Sequence, residues 1–139
     1  MNGIIIAFIV FVSTNLFSVA CNAPNTNKRV YSFLKKTAES ASKECPIQVD
    51  SVMKLENIVA FYPSTLRYNY TLKYDTIKYD IREFEKSLRV TTLNTVSTSP
   101  DSKIFRDLFT TLEYNYNDTL GNFLFRIVIT PEDYMTRHK

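Results

Sequence analysis

The chain has 139 residues, a formal net charge of +3 and 45% hydrophobic residues, which suits one globular domain and excludes a disordered, highly charged polymer. Its two cysteines and its one histidine, His138, cannot supply the four side chains of a structural zinc site. Acids and bases are interleaved without a dense run, which argues against nucleic-acid binding.

Ile4 to Val12 is an apolar run, and Ser18-Val19-Ala20 leads to Cys21. A cleaved export signal needs an apolar core of roughly 7–15 residues and small side chains at the −3 and −1 positions of its cleavage site. Ser18 and Ala20 fill those positions, so residues 1–20 are predicted to be a signal peptide. A retained span needs about 20 apolar residues, and Ser13-Thr14-Asn15 interrupts the run too early. Ser18-Val19-Ala20-Cys21 resembles the lipobox of bacterial lipoproteins, with Ser18 standing where the pattern prefers leucine. The resemblance implies a diacylglycerol on the Cys21 thiol and attachment to a membrane through that lipid. An ordinary signal peptidase accepts the same small residues, which leaves a free secreted or periplasmic protein as the alternative. The second cysteine makes the two states exclusive. An unmodified Cys21 in an oxidising compartment would pair with Cys45, whereas a lipidated Cys21 leaves Cys45 as a solitary thiol.

Residues 21–28 are polar and turn-prone and are expected to tether a single domain over residues 29–139. Val30, Phe33, Leu34, Thr37, Ala38 and Ala41 recur at helical spacing, predicting an amphipathic helix from about Lys28 to Lys43 that stops before Pro46. Val52 to Phe61 and Leu66 to Lys73 read as a hairpin of two strands, the second alternating Leu66, Tyr68, Tyr70 and Leu72 with polar residues. Asp80 opens a helix with Ile81, Phe84 and Leu88 on its apolar face, and Pro100 opens a second one carrying Ile104, Phe105, Leu108 and Phe109. Leu112-Glu113-Tyr114-Asn115-Tyr116 echoes Leu66-Arg67-Tyr68-Asn69-Tyr70 and begins a second hairpin closed by a turn at Asn117 to Asn122. Its last strand, Phe123 to Thr130, is apolar on both faces and is expected inside the sheet. The predicted fold class is α+β, with helices on one face of an antiparallel sheet of about four strands, in the order α-β-β-α(α)-β-β.

The segments Lys43 to Asp50, Leu66 to Thr71, Asn94 to Pro100, Tyr114 to Tyr116 and Ile127 to Asp133 together resemble a group of small exported bacterial proteins of unknown function. That group carries the layout Pro-x-x-Val-Asp, Tyr-x-Tyr-Thr, Tyr-x-Tyr, Ile-x-Pro-x-Asp. The resemblance implies an envelope protein and brings no activity with it.

No catalytic set, cofactor site or metal site emerges from the residues. Tyr68, Tyr70, Tyr114 and Tyr116 could form an aromatic platform for a protein or small ligand, or line the core between helices and sheet. Asp50 could act as a general acid or base, or accept backbone amides at a turn. The expected function is a non-enzymatic binding or structural module of the cell envelope, anchored by lipid at Cys21. The alternatives are a small secreted hydrolase or lyase, which would need Asp50, a tyrosine hydroxyl and a base such as Arg67 to converge, and an inhibitor of an envelope enzyme, by analogy with the helix-on-sheet architecture of cystatins.

Overall fold

The computed structural model describes residues 23–73 and 80–135, with side chains from Thr26 onward. Cys21, the export segment and His138 lie outside the described residues. Helix α1 spans Ala23–Ser42, so the described part of the expected tether is its first two turns. A short strand β1, Ile47–Gln48, leads into β2, Met53–Phe61, and β3, Thr65–Leu72. Helix α2, Ile81–Thr98, is capped by Asp80, whose carboxylate accepts the Arg82 amide at 2.9 Å. The tandem helix expected after Pro100 is a 3-10 turn, Pro100–Ser102, followed by α3, Lys103–Asp107. Strands β4, Thr111–Asn117, and β5, Phe123–Ile129, precede a terminal helix α4, Pro131–Met135.

The α+β architecture is as predicted, with one strand more. The five-stranded sheet has the order β1-β2-β3-β4-β5. The extra strand, β1, is only two residues long, too short to leave a periodic pattern in the sequence. The sheet is mixed, since β3 and β4 pair parallel while the other neighbours are antiparallel. The physical reason is the connection: the chain runs from β3 to β4 through α2 and α3, and a long helical crossover lets the second strand start from the same end as the first. The strand order also corrects the position of β5, which forms an edge. Its apolar look on both faces comes from Leu124 and Val128, half-buried on the face away from the helices, with exposed Arg126 between them.

Alternation along the strands sorts the two faces. Leu55, Leu66, Leu72, Leu112, Phe125, Ile127 and Ile129 are buried on one face together with Leu34 and Ala38 of α1, Val96 of α2, Phe105 of α3 and Tyr134 of α4. On the opposite face Arg67 Nε lies 2.6 Å from Glu113 Oε2, Asn69 Nδ2 donates to Asn57 Oδ1 at 2.7 Å, and Arg126 Nε donates to Asn115 Oδ1 at 3.1 Å. The two lateral edges differ. At β2, beyond the reach of β1, the Ser42 hydroxyl donates to the Ile58 carbonyl at 3.0 Å and accepts the Ile58 amide at 2.9 Å. The end of α1 thus occupies backbone groups that would otherwise face a free edge.

Candidate functional site: paired tyrosines between two helices

The repeated Leu-x-Tyr-Asn-Tyr is a register, residue against residue. Parallel pairing aligns Leu66 with Leu112, Arg67 with Glu113, Tyr68 with Tyr114, Asn69 with Asn115 and Tyr70 with Tyr116. Neighbouring strands lie about 4.8 Å apart, so identical side chains in one register stand at a spacing that suits flat rings. Tyr68 and Tyr114 stack with centroids 5.2 Å apart and planes 8° apart, and Tyr70 and Tyr116 at 5.2 Å and 13°. Stacked pairs of this kind contribute about 0.5–1.5 kcal/mol each beyond the area they bury. Sequence reasoning missed two members of the array: Phe125 stacks on Tyr116 at 4.7 Å, and Phe84 of α2 meets Phe125 edge-on at 6.2 Å. Their signals were the alternation of β5 and the apolar face of α2.

The helices frame these rings and leave them partly open. Helix α1 packs over β2 and the near side of β3, while α2 packs over β5, so the β3–β4 seam runs between them. Tyr68, Tyr70 and Tyr114 are half-buried there and Tyr116 is buried. Among the described residues none of the four hydroxyls has a hydrogen-bond partner, and none is sealed from solvent. Burial pushes all four phenols above their ordinary value, so they stay protonated across the physiological range and can both donate and accept hydrogen bonds. The arrangement offers ring edges, and hydroxyls without a partner among the described residues, to an amphipathic surface.

Asp50 is placed elsewhere. Its Oδ1 accepts the amides of Val52 and Met53, both at 2.8 Å, and closes the turn between β1 and β2. Arg67 projects from the face opposite to Tyr68 and pairs with Glu113. The acid, tyrosine and base that a hydrolase would need in one pocket are therefore apart. Among the described residues no three His, Cys, Asp or Glu side chains gather as metal ligands, and no helix is long and apolar enough to cross a membrane.

Of the two cysteines in the disulfide alternative, only Cys45 is among the described residues. It is half-buried at the far end of α1, its thiol donating to the Ala41 carbonyl at 3.6 Å and its pKa raised by burial and then by Glu56 and Glu44. Helix α1 separates Ala23 from Ser42 by about 28 Å at 1.5 Å per residue. Cys21 is two residues before that helix, and Cys45 turns back onto Ser42 through its amide at 3.2 Å. A disulfide needs Cα atoms within about 7 Å, and two residues of chain span about 7 Å at most. A bridge between Cys21 and Cys45 would therefore need the first turns of α1 to unwind; Cys21 itself lies outside the described residues.

The fold is similar to those of solved bacterial proteins. It resembles a Pseudomonas aeruginosa protein, PA3611, provisionally described as secreted, with a TM-score of 0.68 and 11% identity over 78% of this chain and 96% of that one. The type 2 secretion system pilotin EpsS of Vibrio vulnificus gives a TM-score of 0.67 and 11% identity, covering 80% and 96% of the two chains. The Vibrio cholerae pilotin AspS gives 0.63 and 14%, covering 80% and 97%. At such identities the likeness is one of fold. By sequence the chain belongs to the family described as domain of unknown function DUF8479, matched over residues 28–125. No curated protein matches it by sequence.

Proposed function

We propose that the protein is an exported, non-enzymatic module of the cell envelope, held to a membrane by a lipid on Cys21, which binds a protein partner through the tyrosine-lined seam between α1 and α2. The observation that carries this reading is the pair of in-register tyrosine stacks whose four hydroxyls find no partner among the described residues. Rings of this kind combine apolar area with polar tips and suit the surface of another protein. The fold likeness to type 2 secretion pilotins supports a role as an accessory protein of an envelope assembly. The length of α1, which lies between the two cysteines in sequence, supports lipid chemistry at Cys21, because a competing bond to Cys45 would need that helix to unwind.

The test combines intact mass with site-directed photocrosslinking in native membranes. The mature chain is expected to start at Cys21 and carry acyl groups. A photoreactive residue at Tyr68 or Tyr114 is expected to give one discrete protein adduct, and the same residue at Arg67, on the other face, is expected to give none. An adduct from Arg67 alone would move the partner to the opposite face of the sheet.

A further inference from the structure

The end of the molecule from which the N-terminal segment departs also carries exposed aromatic and sulfur side chains. Tyr31 of α1 meets Tyr62 of the β2–β3 turn edge-on at 5.9 Å, which places that turn beside the first half of α1. The same turn is tied to the segment before β4: Ser64 Oγ donates to the Leu108 carbonyl at 3.3 Å, and the Thr111 amide donates to the Ser64 carbonyl at 2.9 Å. Phe109 and Met135 line one shallow hollow there. Tyr62, Phe109 and Met135 are 60%, 59% and 46% exposed, so three large side chains form a rim over the β2–β3 turn and the start of β4. Phe109 also holds a left-handed φ of 51°, a conformation that is costly for a residue with a Cβ. This left-handed turn ends α3, with the Thr110 amide donating to the Phe105 carbonyl at 2.9 Å, but it is made by a large exposed ring where glycine is the usual residue.

We infer that this rim rests on a phospholipid surface bearing anionic headgroups. The argument is where the chain leaves the domain and what flanks the exit. Residues 1–22, with the apolar run Ile4 to Val12 and Cys21, join the domain at the start of α1. From Ala23 to Tyr31 the helix advances about 12 Å, so a membrane attachment at Cys21 holds the rim within reach of the headgroup layer when α1 lies obliquely. Lys28 and Arg29 are exposed on this stretch and complement anionic headgroups. Tyrosine is the residue type that favours the boundary between hydrocarbon and water. The inference rests on the membrane attachment proposed for Cys21.

The chain has no tryptophan, so single reporters can be placed without background. Tyr62→Trp, Phe109→Trp and, as the far-end control, Leu120→Trp are made in the full chain, purified from membranes and reconstituted in phosphatidylethanolamine–phosphatidylglycerol vesicles with or without brominated acyl chains. Leu120 is 85% exposed in the β4–β5 turn, about 20 Å away along β4. Emission from Tyr62→Trp and Phe109→Trp should shift to the blue and be quenched about twofold or more by the brominated lipid, as expected for rings buried in the headgroup and acyl boundary, with Leu120→Trp unchanged. Equal quenching at all three, or none at the two rim positions, overturns the inference. Intact mass on the same samples reports acylation separately. A Cys21→Ser chain held by an N-terminal histidine tag on nickel-chelating lipid carries the same reporters. Rim quenching there without acylation of the native chain would refute the lipid on Cys21 and retain the rim.

Discussion

Ser42→Ala should lower stability by about 1–2 kcal/mol, because one hydroxyl serves both backbone groups of Ile58 at a place where β1 no longer covers β2. A net hydrogen bond contributes about 0.5–1.5 kcal/mol, and two are lost; the site is only partly buried, so water recovers some of the loss. Alanine is also the better helix former by a few tenths of a kcal/mol, which partly masks the effect. Ser40→Ala, an exposed position one half-turn earlier on α1, provides the correction for propensity. For a domain of this size 1 kcal/mol corresponds to about 4 °C in Tm. The assay is urea unfolding followed by circular dichroism, with the m-value compared to show that the unfolded state is unchanged. Amide exchange supplies a local readout, with Ile58 protection expected to fall about tenfold if the opening free energy drops by about 1.4 kcal/mol. The reasoning fails if Ser42→Ala, corrected by Ser40→Ala, lies within about 0.3 kcal/mol of the parent chain with Ile58 protection unchanged.

Burial raises the phenol pKa of Tyr68, Tyr70, Tyr114 and Tyr116, and burial foremost brings Tyr134 up to about 12. A raised folded value stabilises fully below the unfolded value of about 10 and is lost as pH climbs from there toward the folded values. Ultraviolet titration should therefore show these rings ionising together with alkaline unfolding; a single step for all nine tyrosines near pH 10 with the fold intact would contradict it. Asp50→Ala, which removes the acceptor of two turn amides, should cost about 1 kcal/mol in urea unfolding and leave crosslinking from Tyr68 unchanged. Gly121→Ala meets no atom within 4 Å but must adopt a φ of +85°, so calorimetry should register a loss of about 1 kcal/mol from backbone strain alone.

The periodicities carried most of the elements. Leu66, Tyr68, Tyr70 and Leu72 do face one side of β3, and Leu34 and Ala38 do form the buried stripe of α1. What alternation cannot encode is direction, since a period of two reads the same in a parallel or an antiparallel pair. The parallel β3–β4 pair was hidden for that reason, although the intervening helices were the available clue. The edge position of β5 was hidden because Leu124 and Val128 look like core residues while being only half-buried on the open face. At the site, the identity of the four tyrosines was legible and their pairing was not. The role of Ser42 had no signal at all, since a serine near a helix end is ordinary until a strand edge lies beside it.

The tyrosine seam follows from that single topological choice. In an antiparallel pairing of β3 with β4 the two echoes would run in opposite directions, so leucine and tyrosine would change places along one of them and the full set of matches could not form. Parallel pairing brings each residue of one echo to its own counterpart, which is why both tyrosines of each strand stack and why the ion pair of Arg67 with Glu113 falls on the opposite face in the same register. The same choice fixes what frames the seam. A parallel pair requires the chain to travel back along the sheet before β4 can begin, and α2 makes that return over β5, while α1 covers the β2 side. The strip between the two helices therefore comes over β3 and β4, where the paired echoes lie, and aromatic residues placed on this face at other strands, such as Phe125 beneath Phe84, are covered by a helix.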